Sequence, residues 1–171
     1  MGYRFDGFFV RTEEQAFIQE LALSVKQQWP YVACRSVSEP FFGLGIRMTS
    51  FATDGTEEEV EQQDALKKEL PAWSRRFPIV NCLYLSADCF GGVCIYEGYL
   101  CRNGVILFKE EDKDQKEEAG MLSLLRLLGQ FGVTTETGYF KPFERGFFGP
   151  EKYFRPFEPE EDLGVYLSRD L

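Results

Sequence analysis

Apolar residues recur at helical spacing in three stretches of the chain, separated by polar positions. These stripes are Ile18, Leu21, Ala22, Val25 and Trp29, then Val60, Leu66, Leu70 and Trp73, and finally Met121, Leu124, Leu125, Leu128 and Phe131. Each stripe predicts an amphipathic helix that packs through one face. Pro30 and Pro71 are expected to end the first two helices, and Gly132 suits the end of the third.

Shorter apolar and aromatic runs predict β-strands. They cover residues 3–10, 31–37, 41–49, 79–85, 93–101 and 105–108. Asn103 and Gly104 separate the last two runs, and this pair favours a two-residue type I′ turn. Such a turn predicts three cross-strand pairs: Cys101 with Ile106, Leu100 with Leu107, and Tyr99 with Phe108. Both strands would then carry apolar side chains on both faces, as central strands do.

The order of these segments predicts the fold class. A β-α-β-β-α-β-β-β-α order in 171 residues favours a single α+β domain with packed helices and a mixed, mostly antiparallel sheet. Residues 1–137 are expected to form the α+β core. Residues 138–171 are rich in aromatic residues, proline and glycine and lack a helical or strand period. We therefore expect an irregular carboxy-terminal segment that packs on the core within the same domain.

The carboxy-terminal segment contains a short repeat. The sequence YFKPFE at 139–144 returns as YFRPFE at 153–158. Because proline biases the residue before it toward extended backbone, each copy is expected to be an extended strip that lays its rings on a common surface. The repeat predicts burial of four residues: Phe140, Phe143, Phe154 and Phe157. Phe147 and Phe148 lie between glycines and are expected to stay available for contact with a partner.

The composition restricts the available chemistry. The chain has no histidine, which excludes Ser-His-Asp and Cys-His catalysis and every histidine-containing metal site. A net charge of −9 opposes binding to nucleic acid or to an anionic membrane surface and favours a basic partner. No apolar run reaches the length of a membrane-spanning helix, and the first residues lack the pattern of a secretory signal.

Five cysteines provide a further signal. An odd number without an export signal favours reduced thiols and a cytoplasmic location. Cys82, Cys89, Cys94 and Cys101 are too widely spaced for zinc knuckles, which hold cysteines roughly two to four residues apart. We therefore expect all five cysteines to be reduced, with no metal and no cofactor. The loop 86–92 should expose Cys89, and a structural turn is the simplest interpretation of that loop.

Two acidic clusters and a pair of aromatic residues predict a partner-binding surface. The predicted residues are Glu57, Glu58, Glu59, Glu61, Asp64, Glu110, Glu111, Asp112, Phe147 and Phe148. Neither acidic cluster has the ligand spacing of an EF-hand. A solvated face is the simplest interpretation of each cluster, and a basic partner protein is the leading functional one.

These observations predict a non-catalytic protein-binding protein. Its most specific form is an acidic inhibitor or immunity-type protein that neutralises a basic toxin or nuclease. Two alternatives stay open. One is a histidine-independent enzyme that uses Cys89 or paired carboxylates, and the other is a structural subunit of a larger assembly.

Overall fold

Six β-strands form one antiparallel sheet that helices cover on both faces. The computed structural model describes residues 3–30, 32–48, 57–112, 117–135, 139–144 and 146–148. The elements are β1 (Tyr3–Arg11), α1 (Gln15–Gln28), β2 (Ala33–Val37), β3 (Gly43–Arg47), α2 (Glu57–Ser74), β4 (Asn81–Phe90), β5 (Val93–Arg102), β6 (Val105–Glu111) and α3 (Glu117–Phe131). A short 3-10 turn follows at Lys141–Phe143. The predicted α+β class and the order of elements are confirmed.

The strand order β2-β3-β1-β4-β5-β6 makes β1 the pivot of the sheet. It pairs with β3 on one side and with β4 on the other. The connection through α1 passes over β3, and the connection through α2 passes over β1. Crossovers of the same hand place both helices on one face, and the buried residues of α1 and α2 accordingly belong to one hydrophobic cluster.

Strand β1 separates two hydrophobic cores. Phe8 and Val10 pack in the core of α1 and α2, whereas Phe5 and Phe9 pack in the core formed by α3 and the carboxy-terminal segment. The strand is buried from Phe5 to Val10. A strand covered on both faces carries a nearly continuous apolar run instead of an alternating one, which explains the sequence of β1.

The first copy of the carboxy-terminal repeat packs on the α3 face of the sheet. The ring of Phe140 lies 5.0 Å from that of Phe9, and the ring of Phe143 lies 5.1 Å from that of Phe5, measured between centroids. Phe140 is buried and Phe143 is partly buried, as expected. The expectation that this copy is an extended strip is wrong, because Lys141–Phe143 form a 3-10 turn. The second copy of the repeat lies outside the described residues.

The β5–β6 hairpin turns at the predicted Asn-Gly pair, whose φ angles are 50° and 81°. Positive φ at both central residues is what a type I′ turn requires. The predicted pair Cys101–Ile106 is confirmed. The next two predicted pairs are wrong, because a β-bulge gives β6 an extra residue at Leu107 and brings Leu100 opposite Phe108.

Strand β6 lies at the edge of the sheet, so the prediction that it is a central strand is wrong. Val105, Ile106 and Leu107 are 56%, 48% and 56% exposed. Their apolar character signals a strand correctly, but it does not reveal whether a neighbour covers that strand. Only the strand order decides that point.

The prediction that Pro71 ends α2 is also wrong, because the helix continues through it to Ser74. Proline has no N–H to donate to the carbonyl four residues earlier. That carbonyl belongs to Lys67, and the hydroxyl of Tyr99 in β5 donates a hydrogen bond to it. A tertiary contact therefore satisfies the acceptor that the proline leaves open.

Replacing Gly104 with Val should lower the free energy of unfolding by about 1 kcal/mol or more. The position has positive φ, and a Cβ there would collide with the side chain of Arg75. Asn103→Gly is the matched control, since glycine adopts positive φ readily and should change stability by less than about 0.5 kcal/mol. Urea denaturation measures both effects, and an unchanged midpoint for Gly104→Val would contradict the turn geometry.

Candidate functional site

Helix α2 presents an acidic stripe to solvent. Four exposed residues spaced along one side of the helix form this stripe, which we call the acidic face: Glu57, Val60, Glu61 and Asp64. Val60 is 45% exposed and lies among the three carboxylates, so the expectation that it packs with the buried stripe of this helix is wrong. The predicted residues Glu58 and Glu59 belong to the same helix, but their side chains lie outside the described part of the chain.

The opposite side of α2 is fixed to the body of the protein. Leu66, Leu70 and Trp73 are buried in the core shared with α1. The indole N–H of Trp73 donates a hydrogen bond of 3.0 Å to the hydroxyl of Ser24 in α1. Because one side of the helix is anchored, the acidic face has a defined orientation.

Two polar side chains of α2 reach the sheet. Lys67 Nζ lies 2.7 Å from Glu97 Oε1 in β5 and 5.9 Å from the centre of the Tyr84 ring in β4. Gln63 Nε2 donates a hydrogen bond to Asp6 Oδ1 in β1. These contacts connect α2 to three neighbouring strands.

Asp6 is a buried carboxylate in the middle of β1, with no side-chain exposure (0%). Its Oδ1 accepts a hydrogen bond of 2.7 Å from the Ser86 hydroxyl, and its Oδ2 lies 3.1 Å from Arg4 Nε. Burial raises the pKa of Asp6 above its ordinary value, although the hydrogen bonds and the charge of Arg4 act in the opposite direction. Asp6 therefore links β1, β4 and α2 through satisfied polar contacts.

The register of the sheet places Asp6 in a row of polar residues on the α2 face. Asp6 pairs with Ser86 of β4, and Ser86 pairs with Glu97 of β5. Glu97 pairs in turn with Glu111 of β6. The residue pattern does not reveal this row, because its members are far apart in the chain. The available signal was Asp6 itself, a charge inside an otherwise apolar strand.

The row contains carboxylates of the kind that an acid–base enzyme uses, but Asp6 and Glu97 already have polar partners. The Asp6 side chain is 0% exposed, and the Glu97 carboxylate forms an ion pair with Lys67. A general acid or base must come within hydrogen-bond distance of its substrate. The geometry thus gives no support to the paired-carboxylate hypothesis, which stays an alternative.

The second predicted acidic cluster does not form one patch. Glu110 faces α3, and its Oε1 lies 3.4 Å from Arg126 Nη1 of that helix. Glu111 lies on the other face of β6 and is exposed. Asp112 Oδ2 accepts a hydrogen bond of 2.8 Å from the backbone N–H of Tyr96. The three predicted residues therefore have three different environments.

The expectation that Phe147 and Phe148 stay exposed is wrong, since they are 7% and 2% exposed. The guanidinium of Arg35 lies 4.5 Å from the centre of the Phe147 ring and donates a hydrogen bond to the Phe147 carbonyl. A Cβ at Gly45 of β3 would lie 3.2 Å from the Phe148 ring, so glycine there leaves room for the ring. Both rings belong to the core on the α3 face.

The prediction that all five cysteines are reduced is wrong for two of them. Cys89 and Cys94 form a disulfide across the β4–β5 hairpin. Residues 86–90 belong to β4, so most of the predicted loop 86–92 is strand. Cys82 and Cys101 pair across the same two strands, and they are free thiols together with Cys34. The symmetric spacing of four cysteines is therefore that of two cross-strand pairs in one hairpin.

The disulfide changes two earlier interpretations. It removes the thiol on which the Cys89 enzyme hypothesis depends, because a thiolate is the nucleophile. It also weakens the cysteine argument for a cytoplasmic location, since disulfides are rare in the reducing cytosol. Within the described ranges, no helix is long and apolar enough to cross a bilayer.

Combining Phe147→Ala with Phe148→Ala should destabilise the fold strongly. Truncating one buried Phe in a protein core costs about 3–5 kcal/mol, so the double variant is expected to lose at least that much. The control is Phe42→Ala, because Phe42 is 60% exposed and should change stability by about 0.5 kcal/mol or less. Urea denaturation compares the two, and equal midpoints would contradict the burial of the pair.

Asp6→Asn should change how stability depends on pH. Because burial raises the pKa of Asp6 in the folded chain, the folded state binds this proton more tightly than the unfolded state. Acidification from about pH 7 to pH 4 should therefore stabilise the parent chain relative to Asp6→Asn, which lacks this proton. Denaturation of both proteins at several pH values measures the difference. A difference in unfolding free energy that is independent of pH would contradict the shift.

Comparison with protein-family models, curated proteins and solved structures finds no match to this chain. Its function is therefore inferred from its own surfaces, chiefly the acidic face of α2 and the contacts that hold that helix in place.

Proposed function

We propose that this chain is a non-catalytic protein-binding protein that uses the acidic face of α2 against a basic surface of its partner. The observation that carries the proposal is the exposure of three carboxylates around Val60 on a helix that is anchored from its other side. An apolar side chain surrounded by charges combines a desolvated anchor with electrostatic selection of the partner.

The acidic face is presented without a large ordering cost. Lys67 and Gln63 hold α2 on the sheet through Glu97 and Asp6. A surface on a preorganised helix loses less conformational entropy on association than a loop does. The anchored helix can therefore present its carboxylates at a defined spacing to Lys and Arg side chains on the partner.

The net charge of −9 acts in the same direction as the local arrangement. It attracts a basic partner at long range, raises the association rate and makes binding sensitive to salt. In the most specific form of the proposal, the partner is a basic toxin or nuclease, and this chain is its inhibitor or immunity protein. A cytoplasmic location belongs to that form of the proposal.

Charge reversal on α2 tests the proposed surface. The variant Glu57→Lys, Glu61→Lys, Asp64→Lys should bind the partner at least about tenfold more weakly, because like charges then face each other. The partner is first isolated by pull-down from the native cell at low and at high salt and identified by mass spectrometry. Calorimetry with the purified partner then gives the dissociation constants of the parent and the variant.

The matched control reverses three exposed carboxylates, two just before α1 and one in its second turn: Glu13, Glu14 and Glu20. It changes the net charge by the same amount at a different surface and should keep most of the affinity. Equal loss in both triple variants would show that total charge, and not the acidic face, is responsible. A partner held equally well at high salt would favour a structural subunit, and a co-purified metabolite without a protein partner would favour an enzyme.

A further inference from the structure

The two edges of the sheet expose different side chains. At the β2 edge, Arg35 is engaged with Phe147 of the carboxy-terminal segment. At the β6 edge, Val105, Ile106 and Leu107 form the one run of three consecutive exposed large hydrophobic residues among the described residues. An exposed apolar edge strand is a template for pairing with a further strand.

Charges of opposite sign lie at the two ends of β6. At its beginning, Arg75, the residue after α2, packs against the turn at Gly104, and Arg102 is exposed beside it. At its end lie Glu110 and Glu111.

The charges at the two ends of β6 also share faces of the sheet. Arg75 and Glu111 are on the α2 face, where Glu111 pairs with the Glu97 that contacts α2. Arg102 and Glu110 are on the α3 face, where Glu110 also lies 3.4 Å from Arg126. Lys109 also lies on the α2 face, two residues before Glu111, and is exposed. Each face thus has a positive charge at the first end of the strand and a carboxylate at the other end, with Lys109 beside the carboxylate on the α2 face.

We propose that β6 pairs with β6 of a second copy of this chain, antiparallel and about a twofold axis perpendicular to the sheet. With the two 105–107 runs side by side, the acidic end of each β6 lies beside the hairpin turn of the other copy. The twofold axis preserves the faces, so Glu111 of one copy lies near Arg75 of the other, and Glu110 lies near Arg102. Two six-stranded sheets then become one continuous sheet.

A second copy fits this edge because the charge pattern is self-complementary. In an isologous interface the contacts are reciprocal: if one residue contacts a second residue in the other copy, the second also contacts the first. Each chain must therefore supply both halves of the charge pattern. The β6 edge does so with Arg75 and Arg102 at one end and Glu110 and Glu111 at the other. Pairing also satisfies both β6 edges at once, and assembly through this edge stops at the dimer.

The dimer goes beyond the proposed function and uses a different surface. The acidic face of α2 is not part of the β6 edge, and the two surfaces are tested with different variants. One added strand pair gives a small interface, so the dissociation constant is expected to be on the order of micromolar.

Analytical ultracentrifugation of the full chain tests the dimer over about 1 to 200 µM, a range that brackets such an affinity. The parent chain should sediment as a monomer–dimer equilibrium. Ile106→Lys combined with Leu107→Lys should raise the dissociation constant at least about a hundredfold, since it places four charges at the axis. Both side chains are about half exposed, so the melting temperature should stay within a few degrees of that of the parent.

The control for this variant is Ile79→Lys combined with Phe90→Lys, at residues that are 77% and 80% exposed away from the β6 edge. This control should dimerise like the parent. A parent chain that is monomeric throughout the range, or a dimer that persists in the Ile106 and Leu107 variant, would overturn the proposal.

A charge swap tests the antiparallel arrangement directly. Arg75→Glu alone and Glu111→Arg alone should each weaken the dimer about tenfold, because each creates a like-charge contact between copies. The variant that carries both changes should recover most of the lost affinity. No recovery in the double variant would overturn the antiparallel pairing. None of these outcomes depends on partner binding through α2, so failure here is distinguishable from failure of the proposed function.

Discussion

Strand β1 must be buried on both of its faces, and the arrangement of the other elements follows from that requirement. The strand is apolar and buried from Phe5 to Val10, apart from the buried charge of Asp6. It needs a paired strand on each side, which β3 and β4 supply. It also needs a layer on each face. Helices α1 and α2 form one layer, and α3 with residues 139–144 and 146–148 forms the other.

Asp6 connects this buried strand to the surface that we propose for binding. A carboxylate removed from water costs several kcal/mol unless it finds partners, and here Ser86, Gln63 and Arg4 provide them. Because Gln63 belongs to α2, the position of that helix is coupled to β1. The hydrogen bond from the Tyr99 hydroxyl to the Lys67 carbonyl, four residues before Pro71, adds a second connection between α2 and the sheet. The orientation of the acidic face is thus set by contacts beneath the helix.

The two proposed surfaces bind through different kinds of interaction. The acidic face of α2 relies on charge and a small apolar anchor, which suits a basic partner and makes binding sensitive to salt. The β6 edge relies on backbone pairing and apolar contact, with charges that fix the direction of the strands. A twofold axis perpendicular to the sheet would place both copies of α2 on the same side. A dimer would therefore present two acidic faces together, and a partner with two basic sites could bind with higher avidity.

Features that depend on residues close together in the chain could be predicted from the residue pattern. Helical periodicity identified the three helices, and the Asn-Gly pair identified the β5–β6 turn. The acidity of α2 was also evident, because exposed residues of a surface helix are usually polar. Features that depend on distant residues follow from packing and strand pairing across the fold. Phe147 and Phe148 are buried because Arg35 contacts the first ring and Gly45 leaves room for the second. The four cysteines form two cross-strand pairs only in the register of the β4–β5 hairpin. The strand order alone places β6 at an edge of the sheet. Local periodicity reports which face of an element is apolar, whereas the partner of that face is set by strand pairing and packing across the whole chain.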